Sequence, residues 1–206
     1  YKSSLKVERI LDYDLLFYDD AKAASVGVNG EFIASGRLDN LASCFVGMEA
    51  LLTTPKKSSS LLVCSDHEEV GSSSTTGAAG TFLKSILQRI YGSQESFARG
   101  VSRSVMISCD NAHGLHPNFS EKYEESSAPI INQGPVLKLN AKQRYATSAE
   151  SSAILELVAQ KAQVPLQRYV SRNDVPCGST IGPITATTLG MRTMDIGIPS
   201  LAMHSI

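Results

Sequence analysis

The chain has 206 residues, 42% of them hydrophobic and 19% charged, which suits one α/β domain of ordinary composition. Its formal net charge of −1 argues against a nucleic-acid binder, which would carry a clustered basic excess. No apolar run approaches the roughly 20 residues of a membrane span, and the N-terminus lacks the charged-then-apolar layout of a secretory leader. The sequence does not open with Met, so a processed, trimmed or incomplete chain is expected. Cys44, Cys64, Cys109 and Cys177 are widely spaced, and three of them sit in apolar stretches where a free thiol acts as a small hydrophobe. That usage fits a reducing compartment such as the cytoplasm.

In chain order, residues 24–28 and 31–35 flank Asn29-Gly30, a two-residue hairpin signal. Residues 41–52 have helical apolar spacing, with Asp39 or Asn40 placed to cap them. Residues 61–64 form a short apolar run that reads as a buried strand, followed by a Gly/Ser-rich loop and a helix over 79–91. Strands are expected at 104–109, 136–139, 167–171 and 192–196, and helices at 148–163 and 184–189. This alternation predicts an α/β three-layer sandwich with a mostly parallel central sheet and helices on both faces. No composition shift marks a second domain, and residues 1–206 read as one unit.

In such sheets ligands gather at the carboxyl ends of strands. Asp66-His67-Glu68-Glu69 follows directly on the run 61–64. The bland reading is a solvated acidic loop. The chemical one has Glu69 ligating a metal while Glu68 acts as general base, because a metal lowers the pKa of water and a nearby carboxylate can take the proton. Asp110 closes the strand 104–109 and opens a segment with two histidines, His113 and His116, which suits metal ligation as well as it suits a turn. Asp39 alone could be a helix cap, and His204 alone a surface residue. Together Asp39, Glu68, Glu69, Asp110 and His204 all stand at predicted strand ends. Gathered at one edge they would repel and be costly to desolvate, and divalent cations would remove that cost.

The motifs GRLDNLASC (36–44), DHEEVGS (66–72), DNAHGLHP (110–117), KLNAKQRY (138–145), RNDVPCGSTIGP (172–183) and MHSI (203–206) occur in the order seen in aspartyl aminopeptidases, and the chain resembles that family through nearly its whole length. The resemblance implies a zinc exopeptidase-like fold and two divalent cations, expected to be zinc. Asp39 would bridge them, Glu69 and His204 would complete one site, and Asp110 would serve the other. Glu68 would be the general base, and His113, Lys138 and Tyr145 match pocket positions that would hold the substrate. The expected reaction releases an N-terminal Asp or Glu from a peptide. A cationic Lys138 gives that preference a physical basis, unless it is simply an exposed strand lysine.

The chain also departs from the family pattern. The family's upstream metal-binding histidine has no counterpart, since the first histidine here is His67. Residues 1–206 are therefore expected to be a metallopeptidase catalytic domain lacking the N-terminal ligand region, the oligomerisation domain and the extreme C-terminus, with one metal site incomplete. Homo-oligomerisation is implied for the full-length protein, in the cytoplasm or alternatively a vacuole. The rival readings are an inactive or partly metallated remnant with a binding role, and a related two-zinc exopeptidase or deacylase of other specificity.

Overall fold

The structure, a computed structural model, describes residues 8–55 and 59–204, which divide into one unit ending at Gly36 and another beginning at Arg37. In the first unit, residues 8–23 have no regular structure and expose large apolar side chains, Leu11, Leu16 and Phe17 among them. Two strands follow, β1 (Ala24–Val26) and β2 (Phe32–Ala34), paired antiparallel with Val26 opposite Phe32. The hairpin is therefore closed by residues 27–31, and the two-residue Asn29-Gly30 turn does not form. Gly27 and Gly30 both take positive φ, so the chain begins to turn three residues before Gly30. The Glu31 carboxylate then folds back to accept the Asn29 amide at 2.8 Å.

The second unit opens with α1 (Leu38–Thr53), whose second and third residues, Asp39 and Asn40, are not helical. Neither caps the helix as expected: Asn40 Nδ2 donates instead to the Cys109 carbonyl at 2.8 Å, and Asp39 faces His204. Residues 61–64 were expected as a strand, but no ladder partner exists for them among the described residues. They lie against α1, where Gly47 leaves space for Leu62; a Cβ at residue 47 would stand 2.8 Å from a Leu62 methyl carbon.

Helix α2 (Phe82–Tyr91) starts three residues later than its periodicity suggested. Gly80, whose missing Cβ lets it pass close to the carbonyls of Ser74, Thr75 and Gly77, is held in the preceding turn. Helix α3 (Gln94–Arg103) was not expected at all. It is capped by Ser93, which accepts the Ser96 amide, and it buries Phe97 and Val101 one turn apart. These two pack with Leu189, and with the half-buried Leu83, Leu87 and Met191, as a satellite core.

Strand β3 (Val105–Cys109), the two-residue β4 (Ala112–His113), β5 (Val136–Leu139), helix α4 (Ala149–Ala162), β6 (Gln167–Val170), helix α5 (Ile181–Leu189), β7 (Arg192–Gly197) and the two-residue β8 (Pro199–Ser200) complete the unit. Helix α5 begins three residues before the expected 184, because Thr180 caps it by accepting the Gly182 amide. The main sheet has the order β3-β7-β5-β6. β3 with β7 and β5 with β6 are parallel, and the β7–β5 joint is antiparallel, so the sheet is mostly parallel as expected. β4 and β8 form a separate parallel pair that sequence reading overlooked.

That joint positions the site. Because β5 runs against β7, with Val136 opposite Gly197, the start of β5 lies at the finishing ends of β7 and β3. Lys138 on β5 can thereby reach Asp110, just past β3. The middle of the sheet is closed by Val136, Leu137 and Met194, all at 1% exposure or less. No helix among the described residues is long and apolar enough to cross a membrane.

Candidate metal centre

The acidic side chains expected at the site are delivered by three separate breaks in regular structure. Asp39 sits in the irregular start of α1, where the Asp39–Asn40 peptide is cis. Glu68 and Glu69 open a single 3-10 turn, Glu68–Val70, bounded by two residues of positive φ, His67 and Gly71. Asp110 follows β3 and keeps the ladder through its amide, which donates to the Ile196 carbonyl at 3.1 Å. His204 lies beyond β8.

These segments converge. His204 Nε2 is 3.0 Å from Asp39 Oδ2 and 3.0 Å from Glu69 Oε1. The three ligand atoms lie within 4.8 Å of one another, a spacing that would surround one cation. Burial lowers the His204 pKa, but the hydrogen bond to Asp39 and the charges of Glu69 and Asp39 outweigh it, leaving the imidazole above its ordinary value. The Asp39 side chain is 4% exposed, and its Oδ1 is buried with no hydrogen-bond partner. A buried carboxylate oxygen left without a donor is costly unless something outside the protein satisfies it. A hard divalent cation would do so, and two carboxylates with one imidazole are an ordinary zinc donor set. On that observation the residues fit a metal.

Asp110 stands beside this group. Burial raises its pKa most, Lys138 pulls it back, and the Asp39 charge raises it again. Lys138 is 2% exposed and not the surface strand lysine that its sequence position also allowed. Its Nζ donates at 3.1 Å to Asp110 Oδ2, the Asp110 carbonyl and the Asn111 carbonyl. It also sits 5.1 Å from the centroid of the Tyr145 ring. Tyr145 is itself buried; that burial, followed by a hydrogen bond with Cys177, drives its hydroxyl far above the usual range. His113, on β4, is held below its ordinary pKa by burial, then by the positive charges of Lys138 and His204.

Glu68 faces the centre of this charge distribution. Burial, then Asp110, Glu69 and Asp39, push its carboxyl up to about 7, with Lys138 opposing. A carboxylate that exchanges its proton near neutral pH is suited to general acid–base work. Every expected site residue is thus brought into one region: Asp39, Glu69 and His204 in contact, Asp110 joined by Lys138, and Glu68, His113 and Tyr145 around them.

One residue behind the site escaped sequence reading. Asp195 on β7 is fully buried, and its Oδ1 accepts the hydroxyls of Ser108 and Thr180, both at 2.6 Å. Its Oδ2 accepts the Ala146 amide at 2.6 Å, and its own amide donates to Thr147 Oγ1 at 2.9 Å. One carboxylate thereby ties the end of β3, the turn after Tyr145 and the cap of α5. The available signal was an acid between the apolar Met194 and Ile196 of a strand.

The family model described as "Aminopeptidase I zinc metalloprotease (M18)" matches residues 1–206. A probable M18 family aminopeptidase 2 of Pseudomonas savastanoi pv. phaseolicola is 53% identical over 202 residues, covering 98% of this chain and 47% of that protein. The chain therefore spans about half the length of the curated relatives it matches. Among solved structures, the Ape4 chain in a complex with Nbr1 superposes with a TM-score of 0.85 at 44% identity, over 91% of this chain and 38% of that one. A mature Ape1 dodecamer from S. cerevisiae superposes with a TM-score of 0.79 at 30% identity, over 92% and 44%. With its family model matched along its whole length, the chain belongs to the M18 family of zinc metallo-aminopeptidases.

Proposed function

We propose that this chain carries the catalytic centre of an aminopeptidase that releases N-terminal acidic residues from peptides. The observation that carries the reading is the buried, unsatisfied Oδ1 of Asp39 beside the Asp39–Glu69–His204 cluster. Asp39, Glu69 and His204 would hold one cation, with Asp39 and Asp110 contributing to a second. When bound, a divalent cation supplies Lewis-acid charge and acidifies water in its reach.

The chain's own residues do the rest. Glu68 takes the proton of the attacking water and returns it to the leaving amine, a task helped by a pKa near the working pH. Lys138 holds Asp110 in place through two contacts to it and one to the Asn111 carbonyl, and supplies positive charge that favours an acidic substrate side chain. His113 and Tyr145 would line that pocket. The dodecameric Ape1 relative supports a homo-oligomeric working form.

The test uses the protein expressed from its complete gene. Glu68→Gln is expected to retain zinc, measured by atomic absorption, and to lose about 100-fold or more in turnover of an N-terminal aspartyl substrate. Full activity in that variant would remove Glu68 from the proton transfer. Equal turnover of aspartyl and leucyl substrates by the native protein would remove the acidic preference.

A second reading follows from Lys138. Its Nζ already occupies Asp110 Oδ2, which favours a single cation at Asp39–Glu69–His204. Zinc stoichiometry separates the two: one equivalent supports this reading, two the bridged centre.

A further inference from the structure

Beyond Tyr145 lies a cavity that the metal chemistry does not use. It is an open hollow of about 360 Å³, lined by residues 140–144, from the turn after β5, and by residues 172–177, from the loop after β6. β5 and β6 are parallel neighbours, so both loops leave the sheet on the same side. Each loop is fixed locally. The buried Asn140 side chain accepts the Lys142 amide at 2.8 Å and the Arg144 amide at 3.4 Å. Arg144 Nε then donates across the cavity mouth to the Cys177 carbonyl at 3.2 Å, joining one wall to the other.

The charge of this cavity is unlike that of the chain. Its lining includes Lys142, Arg144 and Arg172 against one acid, Asp174, while the whole sequence is slightly negative. Asp174 is held by Arg172 in a two-point pair, and no carboxylate among the described residues pairs with Lys142 or Arg144. The volume falls within the range of small-molecule sites and would admit one side chain of a peptide. Arg144 lines the cavity and carries a guanidinium, the group best suited to two-point carboxylate recognition.

We propose that this cavity is an anion subsite that takes a carboxylate of an acidic peptide, separate from the metal centre. It adjoins that centre through contacts already described: Asp110 to Lys138, Lys138 to Tyr145, and Tyr145 to Cys177 in the cavity wall. A peptide engaging both places would present one acidic group near Lys138 and a second beside Arg144. The inference deepens the peptidase reading, but its test needs neither metal nor turnover.

The experiment uses the chain in EDTA and the blocked peptides acetyl-Ala-Glu-Ala-amide and acetyl-Ala-Gln-Ala-amide, followed by two-dimensional NMR. The glutamyl peptide is expected to bind about tenfold more tightly, shifting the amides of 140–144 and 173–177. Lys142→Gln, an exposed change checked for folding by circular dichroism, should weaken it several-fold, and raising salt should do the same. Equal binding of the two peptides would overturn the proposal. So would shifts confined to Asp39, Glu69 and His204, or inorganic phosphate binding as tightly as the glutamyl peptide. Because metal is absent, loss of peptidase activity in the metallated protein leaves this result standing, and failure here leaves the metal centre untouched.

Discussion

Two buried carboxylates in this chain have been treated in opposite ways. Asp195 is fully buried and receives two hydroxyls and an amide, all at 2.6 Å. The Asp39 side chain is nearly as buried, yet one of its oxygens has no donor, and the other meets the exposed imidazole of His204. The difference separates structure from function. Where a charge must stay put, the fold supplies fixed donors; where a ligand is to arrive, it leaves the acceptor unmet. Desolvating Asp39 without a partner costs free energy, and a bound cation would return it.

Asp39 is the acid whose replacement should act on metal binding most strongly. Asp39→Asn keeps the shape but weakens the oxygen donors, so zinc affinity is expected to fall about 100-fold or more, measured by competition with a chromophoric chelator. Urea stability in EDTA should change little or rise, because a desolvated charge has been removed. A stability loss in EDTA as large as that of an Asp195 variant would mean that Asp39 is a structural acid and the comparison false.

Asp195→Asn should give the mirror image. The amide presents an NH₂ to groups that all donate, leaving at least one donor unsatisfied. A loss of about 2–3 kcal/mol in urea unfolding is expected, with zinc affinity changed much less. If zinc affinity instead collapses while stability holds, the Asp195 network serves the metal and not the sheet.

Most of this was visible in the sequence, but not evenly. Strand β5 and helix α4 were legible because each carries a sustained apolar pattern, and α4 also has Ser148 at its start. Helix α3 was not, because Phe97 and Val101 are its only large apolar residues and Arg99 and Gly100 stand between them. The run 61–64 read as a strand on composition, but a strand exists only with a pairing partner, and none of the described residues provides one. Asp39, Glu69, Asp110 and His204 could be collected because each stands beside a break in regular structure. What no pattern carries is the antiparallel joint between β7 and β5. That reversal alone places Lys138 against Asp110 and changes it from a candidate surface lysine into a buried partner.

Glu68 carries the weakest of these signals and probes the same contrast without any ligand. Its carboxyl moves from 4.5 to about 7, through burial first and then the charges of Asp110, Glu69 and Asp39. A raised folded-state pKa means that the folded chain holds the proton more tightly than the unfolded chain. The associated stability is complete below pH 4.5 and is lost as pH rises through about 7. In EDTA, melting temperatures of the native chain should therefore fall relative to those of Glu68→Gln between pH 5 and pH 8, by the order of a degree or two, since the group is part-exposed and screened. Taking the difference between the two proteins cancels the titrating groups that do not interact with Glu68. Zinc should flatten that difference, because a cation among the acids favours ionised Glu68. Parallel melting curves for the two proteins in EDTA would mean that the acids do not share one field, and the convergence of Asp39, Glu69 and Asp110 around Glu68 would lose its electrostatic meaning.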